Sequence, residues 1–321
     1  MPQSGNVVGI DVSKRALDVH FSKDQERRVA NDAGGHQDLI AWFKTLAVTV
    51  VVMEASGGYK KELARALRRA GFAVHVVDPK RVRHYAQAIG QLAKTDRIDA
   101  RIICQYGAAI LALDRLPLPM PDDPARERLG DLLAARADLV EHGDALKQQI
   151  DALAPGPARQ ALQRVHTRLQ REIDQLARRM ATLIEGHPPF ANLARRLDTV
   201  PGLGPVSIAA ILAWLPELGH ADRRRIAALV GVAPVAWDTG QSQGRRCIAG
   251  GRKKLRNILY MATLAATQWN PVLKAHYQQL KARGKEAKVA LIACLRRLLG
   301  ILTAMVVKQQ DWAPPPLALA A

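Results

Sequence analysis

Asn6-Val-Val-Gly-Ile-Asp-Val12 is an apolar, largely β-branched run with one glycine and, near its end, one carboxylate, Asp11. Its length and side chains suit a buried strand. Working outward, Leu17, Val19 and Phe21 alternate through 16–22, which predicts a second strand, and Glu26 to Ala30 predicts a third. Leu39, Phe43 and Leu46 share one face of a helix over 36–46. Val48 to Val52 is a β-branched run that closes with Met53, as a central strand does, and Glu54 ends it. Gly57-Gly58 turns into a helix over 59–70, Ala73 to Val77 is the next strand, and Pro79 opens another helix. The order β-β-β-α-β-α-β-α predicts an α/β domain with a mixed sheet over residues 1 to about 110.

Pro117-Leu-Pro-Met-Pro121 reads as a linker. Beyond it, Leu129, Leu132, Leu139, Leu146, Ile150 and Leu153 recur at helical spacing. Leu162, Val165, Leu169, Ile173, Leu176, Met180 and Leu183 repeat the pattern after Pro155-Gly156-Pro157. This predicts an antiparallel helical hairpin or coiled coil, a spacer or dimerisation arm. From about 190 the chain is helical again. Val200-Pro-Gly-Leu-Gly-Pro205 sits between two helical segments like a helix-hairpin-helix, or a plain helix–turn–helix. A glycine-rich loop over 239–251 precedes helices at 252–269, 271–283 and 285–307. The expected divisions are 1–115, 116–190 and 191–310, with a disordered tail over 311–321.

The 321 residues carry 47 Lys and Arg against 29 Asp and Glu, a formal charge of +18. A surplus of that size points to a polyanion, nucleic acid before a membrane surface. It is uneven: residues 238–310 hold seven Lys and seven Arg against Asp238 and Glu286, a local +12. Hydrophobic residues make up 48% and aromatics only 4%, so the core is aliphatic and mainly helical. No run is read as a membrane span and no secretory leader is visible. Cys104, Cys247 and Cys294 are far apart, which indicates neither disulfides nor zinc and fits a reducing cytoplasm.

Four carboxylates stand out against this basic background. Asp11 and Glu54 end strands, and Asp96 and Asp99 lie three apart on one helical face. Hard oxygen donors gathered this way suit Mg²⁺ or Mn²⁺, the ions of in-line phosphodiester chemistry. Taken singly, each also reads as a turn or helix cap. Asp18 and Asp78 are weaker candidates, Asp78 because it simply starts a helix before Pro79.

Gly9-Ile-Asp-Val-Ser-Lys14, Met53-Glu-Ala-Ser-Gly-Gly-Tyr59, Lys94-Thr-Asp-Arg-Ile-Asp-Ala100, Val200-Pro-Gly-Leu-Gly-Pro205, Gly250-Gly-Arg-Lys-Lys-Leu-Arg256 and Leu259-Tyr-Met261 together resemble the DEDD transposases of the one-hundred-and-ten / eleven-eleven insertion-sequence family. Pilin-gene invertases are relatives of that family. The resemblance implies a RuvC-like RNase H domain, a coiled-coil connector and a mainly α transposase domain with a helix-hairpin-helix-like element. It implies a recombinase guided by a structured non-coding bridge RNA, acting on donor and target DNA as a dimer or tetramer in the bacterial cytoplasm, at the nucleoid. It places the metal tetrad on Asp11, Glu54, Asp96 and Asp99.

The family's serine nucleophile, which links covalently to DNA, falls on Thr239, in Trp237-Asp-Thr-Gly240. Ser242 lies three residues on. Either hydroxyl is a candidate, and an inactive copy is the third reading. Arg245, Arg246, Arg252, Lys253, Lys254 and Arg256 are expected to clamp phosphates beside it. Lys80, Arg81, Arg83 and Lys94 are expected on a nucleic-acid backbone, and Gly202 and Gly204 to let a phosphate approach. A junction-resolving nuclease using water, or a decayed nucleic-acid-binding transposase, fits the same acids and bases.

Overall fold

The computed structural model describes residues 6–22, 25–54, 58–91, 96–113, 116–117, 123–236 and 246–314, with Asp96 and Arg97 described by backbone alone. The chain forms two compact units, 1–122 and 123–321.

The first unit is built on a five-stranded sheet of order β3-β2-β1-β4-β5. Its strands are β1 (Val7–Val12), β2 (Ala16–Phe21), β3 (Gln25–Ala30), β4 (Val50–Glu54) and β5 (Ala73–Val77). β1, β4 and β5 run parallel, while β2 and β3 fold back antiparallel on the other side of β1. This mixed sheet is consistent with an RNase H-like domain. Strand alternation sorts the side chains into two layers. Val8, Ile10, Val12, Leu17, Val19, Phe21, Val51 and Met53 pack with Leu39 and Phe43 of α1 (Ala33–Thr45) and Leu63 and Leu67 of α2 (Lys60–Arg69). Val7, Val50 and Val52 face the other way, into a layer with Val82 and Ala86 of α3 (Pro79–Ala88) and Ile102, Ile103 and Cys104 of α4 (Asp96–Ala112).

Two glycines fix how α4 lies. A Cβ on Gly9 would stand 2.3 Å from the Ala100 carbonyl oxygen and the Cys104 amide nitrogen. A Cβ on Gly107 would stand 2.6 Å from Val52 Cγ2 and 3.3 Å from Val7 Cγ1. Helix and strand thus touch backbone to backbone, and α4 runs antiparallel to β1, with its N-terminus at the strand's C-terminal end.

His36 and His75 are buried in this unit, and burial lowers the pKa of each. His75 Nδ1 lies 2.8 Å from the Pro117 carbonyl oxygen, which only accepts, so Nδ1 carries the proton. Both rings are harder to protonate in the native state than in the unfolded chain, which takes up the proton near pH 6.5. The unfolded state then binds more protons, so stability is present above about pH 6.5 and falls as the pH drops below it. Melting temperatures between pH 8 and pH 5 should decline, and the decline should shrink in His36→Gln.

The second unit is helical. α5 (Pro124–Ala152) and α6 (Pro157–Glu185) form a hairpin, and α7 (Pro188–Asp198), α8 (Pro205–Trp214), α9 (Arg223–Val230), α10 (Lys253–Trp269), α11 (Pro271–Ala282) and α12 (Ala287–Lys308) follow. The core gathers Leu129, Leu133, Met180, Leu197, Leu212, Leu259 and Leu298. The base of the hairpin is therefore part of this core. Farther out, Val165 is 52% exposed. α8 is apolar all round and central, with Ser207 to Ala213 all buried.

Three expectations change here. Contrary to the reading of no span-like run, α12 has a mean hydropathy of 2.0 over its most apolar 18 residues. Leu291, Cys294, Leu295, Leu298, Leu299 and Leu302 are buried and Arg296 and Arg297 are exposed, the pattern of a core helix. The tail is not frayed from 311: the Trp312 amide donates to Thr199 Oγ1 at 2.9 Å, and the Trp312 side chain packs on the core. Within the predicted loop, β7 (Cys247–Ile248) pairs antiparallel with β6 (Pro234–Val235), a ribbon too short to leave a sequence period.

Candidate functional site

β1 and β4 pair in a constant register, Val7 with Val50 through Ile10 with Met53. One step further, Asp11 and Glu54 stand side by side at the C-terminal end of the sheet. Each lies two residues beyond one that meets α4, Gly9 and Val52, so both carboxylates project onto the α4 face. The antiparallel register adds Asp18 opposite Asp11, on that same face. Asp18 is 4% exposed, with Arg28 Nη1 3.5 Å away. Beside it, His20 Nδ1 and Arg101 Nη2 both reach Glu26 Oε1, at 3.3 and 3.2 Å.

α4 begins at Asp96, so Asp96 and Asp99 occupy its first turn, over the end of β1. Asp96 stands one turn before Ala100 on the strip that meets Gly9. The fold thus brings Asp11, Glu54 and the Asp96–Asp99 turn to one end of one layer, each of the three described acids half-buried. Carboxylate oxygens are the donors a hard divalent cation takes. Among the described residues no three His, Cys, Asp or Glu side chains form a group able to hold an ion. The Asp96 side chain lies outside those described. Asp78 accepts from the Lys80 amide at 2.9 Å and is the N-cap of α3.

The basic residues divide. Lys80 and Arg81 are exposed on α3 and Arg83 is half-buried, while Lys94 lies outside the described residues. In the second unit Thr239, Ser242 and Arg245 lie outside them too. The segment that carries them leaves Val235 and returns at Cys247, which are paired in the ribbon. Immediately after it comes a set of close contacts. Gly250 and Gly251 have positive φ, and a Cβ on Gly251 would stand 2.3 Å from the Gly231 nitrogen. Arg252 donates to Glu217 Oε2 at 2.7 Å, to Oε1 at 2.5 Å and to the Trp214 carbonyl at 2.8 Å. Arg256 Nη1 donates to the carbonyls of Val230, Gly231 and Gly250, at 3.4, 3.2 and 2.6 Å.

Two of the expected phosphate clamps, Arg252 and Arg256, are thus committed to protein oxygens. Arg246, Lys253 and Lys254 remain exposed, Lys254 with Asp138 at 3.7 Å. Gly202 also has an internal reason to be glycine: φ is +100° and a Cβ would stand 2.4 Å from Ala266 Cα. Gly204, the N-cap of α8, has nothing within 4 Å of its Cβ position and leaves the approach to that helix open. Sequence reading passed over a stripe on α6. Arg164, Arg168, Arg171 and Arg178 are spaced by four, three and seven, share one face and are exposed. Among the described residues none of the four has a carboxylate within 4 Å.

The family model described as Transposase matches residues 8–156, and that described as Transposase IS116/IS110/IS902 family matches 194–278. The chain is 26% identical to the pilin gene-inverting protein of Moraxella bovis, over 94% of this chain and 96% of that protein. It is 24% identical to a probable family 20 transposase of Pseudomonas aeruginosa, over 96% and 98%. An uncharacterized protein of insertion element IS900 from Mycobacterium paratuberculosis is 26% identical, over 87% and 89%. The first match covers the acidic sheet and runs on through α5 of the second unit, and the second match lies within the helical unit. A family of this kind uses divalent metal and acts on DNA. The chain belongs to the IS110 family of DEDD transposases, recombinases related to the pilin gene-inverting proteins.

Proposed function

We propose that the chain cuts and rejoins donor and target DNA of an insertion sequence through a covalent protein–DNA link, with a structured non-coding bridge RNA choosing the sites. The observation that carries the chemistry is the side-by-side placement of Asp11 and Glu54 on the α4 face, under the helix turn that begins at Asp96. Asp11, Glu54, Asp96 and Asp99 would hold Mg²⁺ or Mn²⁺. Bound there, the ion supplies Lewis-acid stabilisation of the leaving 3′ oxygen.

The hydroxyl of Thr239, or of Ser242 nearby, attacks phosphorus, from another subunit of a dimer or tetramer. The new phosphoester forms as the 3′ oxygen departs, and the stored ester makes exchange reversible without ATP. Arg246, Lys253 and Lys254 contact phosphates around this segment. The α6 arginine stripe, Lys80 and Arg81 follow nucleic-acid backbones elsewhere, and the N-terminus of α8 takes a phosphate past Gly204. The hairpin of α5 and α6 serves as a coiled-coil spacer, and the protein works in the bacterial cytoplasm, at the nucleoid.

A nicked suicide substrate tests the link. It should trap a protein–DNA adduct that Thr239→Ala abolishes and Ser242→Ala preserves. Loss in Ser242→Ala alone transfers the role to Ser242. Cleavage without any adduct overturns the covalent mechanism in favour of attack by water.

A further inference from the structure

A cleft of about 600 Å³ opens at the same end of the sheet on its other face, where α1 and α2 pack. Its walls come from the turn after β1, the turn into α1 with the first turns of that helix, and α2 from Tyr59 along to Arg69. Asn31 ties these walls together, its Nδ2 donating to the Ser13 carbonyl at 2.8 Å and to the Tyr59 carbonyl at 3.3 Å. The Asn31 Oδ1 is 2.9 Å from Nε2 of the buried His36. Asn31 therefore holds Ser13, just after β1, to Tyr59, at the start of α2.

The lining has a specific chemistry. Tyr59 is 51% exposed, and the Cβ position of its neighbour Gly58 has nothing within 4 Å. The two wall carboxylates are engaged: Asp32 accepts from the Gly35 amide at 2.9 Å, and Glu62 pairs with Arg65 at 2.9 Å. Lys14 and Arg69 are exposed, with no carboxylate within 4 Å among the described residues. An exposed aromatic ring and two exposed cations line one cleft wide enough for a ring system, a lining that suits a base on the ring and phosphates on the cations.

We infer that this cleft takes an unpaired nucleotide next to the scissile phosphate, its base stacked on Tyr59 and its phosphates on Lys14 and Arg69. The inference rests on the sheet end being the cutting site. A strand leaving the acids crosses the edge of the sheet, about one layer thick, and reaches the cleft directly. A paired base cannot present its face to a side chain, so the cleft selects single strands, DNA of the exchanged strand or RNA of the guide.

Single-stranded DNA and RNA oligonucleotides carrying one iodinated uracil test this with the full-length protein. Photocrosslinking should attach the label at Tyr59, and the better substrate of the two identifies the strand. Tyr59→Ala should weaken single-strand binding about fivefold or more, and Tyr59→Phe should retain it. Lys14→Ala with Arg69→Ala should flatten the salt dependence of that binding. Crosslinks elsewhere, or unchanged affinity of Tyr59→Ala for both oligonucleotides, overturn the inference. The crosslink should persist in Asp11→Asn. A protein that crosslinks at Tyr59 yet never cuts DNA removes the recombinase chemistry and keeps the cleft. One that cuts normally while Tyr59→Ala binds unchanged does the reverse.

Discussion

Replacing Asp11 by asparagine should lower DNA cleavage on the order of a thousandfold, about 4 kcal/mol of transition-state stabilisation, and leave the fold standing. The loss follows from charge, because asparagine keeps the shape and one oxygen but not the anion that a hard cation requires. The fold survives because Asp11 is a half-buried residue at a strand end, and the pairing of β1 with β2 and β4 uses its backbone. Stability should not fall. Asp11 stands opposite Asp18 in the antiparallel register, and like charges directly opposite one another destabilise a sheet. Arg28 Nη1, 3.5 Å from Asp18, works against that repulsion. A melting temperature equal to or above the parent, with cleavage lost, is the expected pair of results. Cleavage at the parental rate would remove Asp11 from the site, and Glu54→Gln, one strand over, would then have to be judged by itself.

The sheet was legible because its strands differ in pattern. Val50 to Met53 is buried on both faces and reads as a continuous apolar run, whereas Leu17, Val19 and Phe21 alternate. Asp18 and His20 blurred that alternation, because they fill the opposite face beneath α4 and find Arg28 and Glu26 there. The acids at 11 and 54 were visible as strand ends. Their shared face was not, because it depends on register and on the contact of Gly9 with Ala100 and Cys104. Nothing local to Gly9 announces a helix lying against it, and nothing in Gly202 announces Ala266.

The basic motif at 250–256 was misleading for a related reason. A sequence shows charge but not whom it faces. Arg252 and Arg256 look no different from Lys253 and Lys254, yet the first pair turns inward at a glycine crossing and the second outward. Helical spacing separates them, since Arg252 and Arg256 are four apart. Buried Glu217, 35 residues upstream, is the missing partner. The same blindness hid the α6 stripe, whose arginines look like ordinary hairpin surface until their face is known.

Glu217→Ala should therefore destabilise the helical unit strongly, by about 3 kcal/mol or more, although no chemistry is assigned to Glu217. Its side chain is 7% exposed and receives both guanidinium nitrogens of Arg252. Burial lowers the pKa of Arg126, and the carboxylates of Asp123 and Glu217 work against that shift. Removing the carboxylate leaves the Arg252 guanidinium with the Trp214 carbonyl, and Arg126 with the Leu212 carbonyl and Asp123. The disturbance falls where the ribbon-bounded segment returns to the core, since the Arg252 amide also bonds the Leu229 carbonyl at 2.8 Å. Arg252→Met with Glu217→Leu, which removes both charges and fills the space, should recover most of the loss. Lys253→Ala should change stability by less than about 0.5 kcal/mol while weakening DNA binding and its salt dependence. Denaturant midpoints and DNA affinity measured on the same variants separate anchor from clamp. Arg252→Ala that melts like the parent but binds DNA poorly would return Arg252 to the phosphates. Arg252→Ala that melts early makes the segment carrying Thr239 dependent on a bond made 13 residues beyond it.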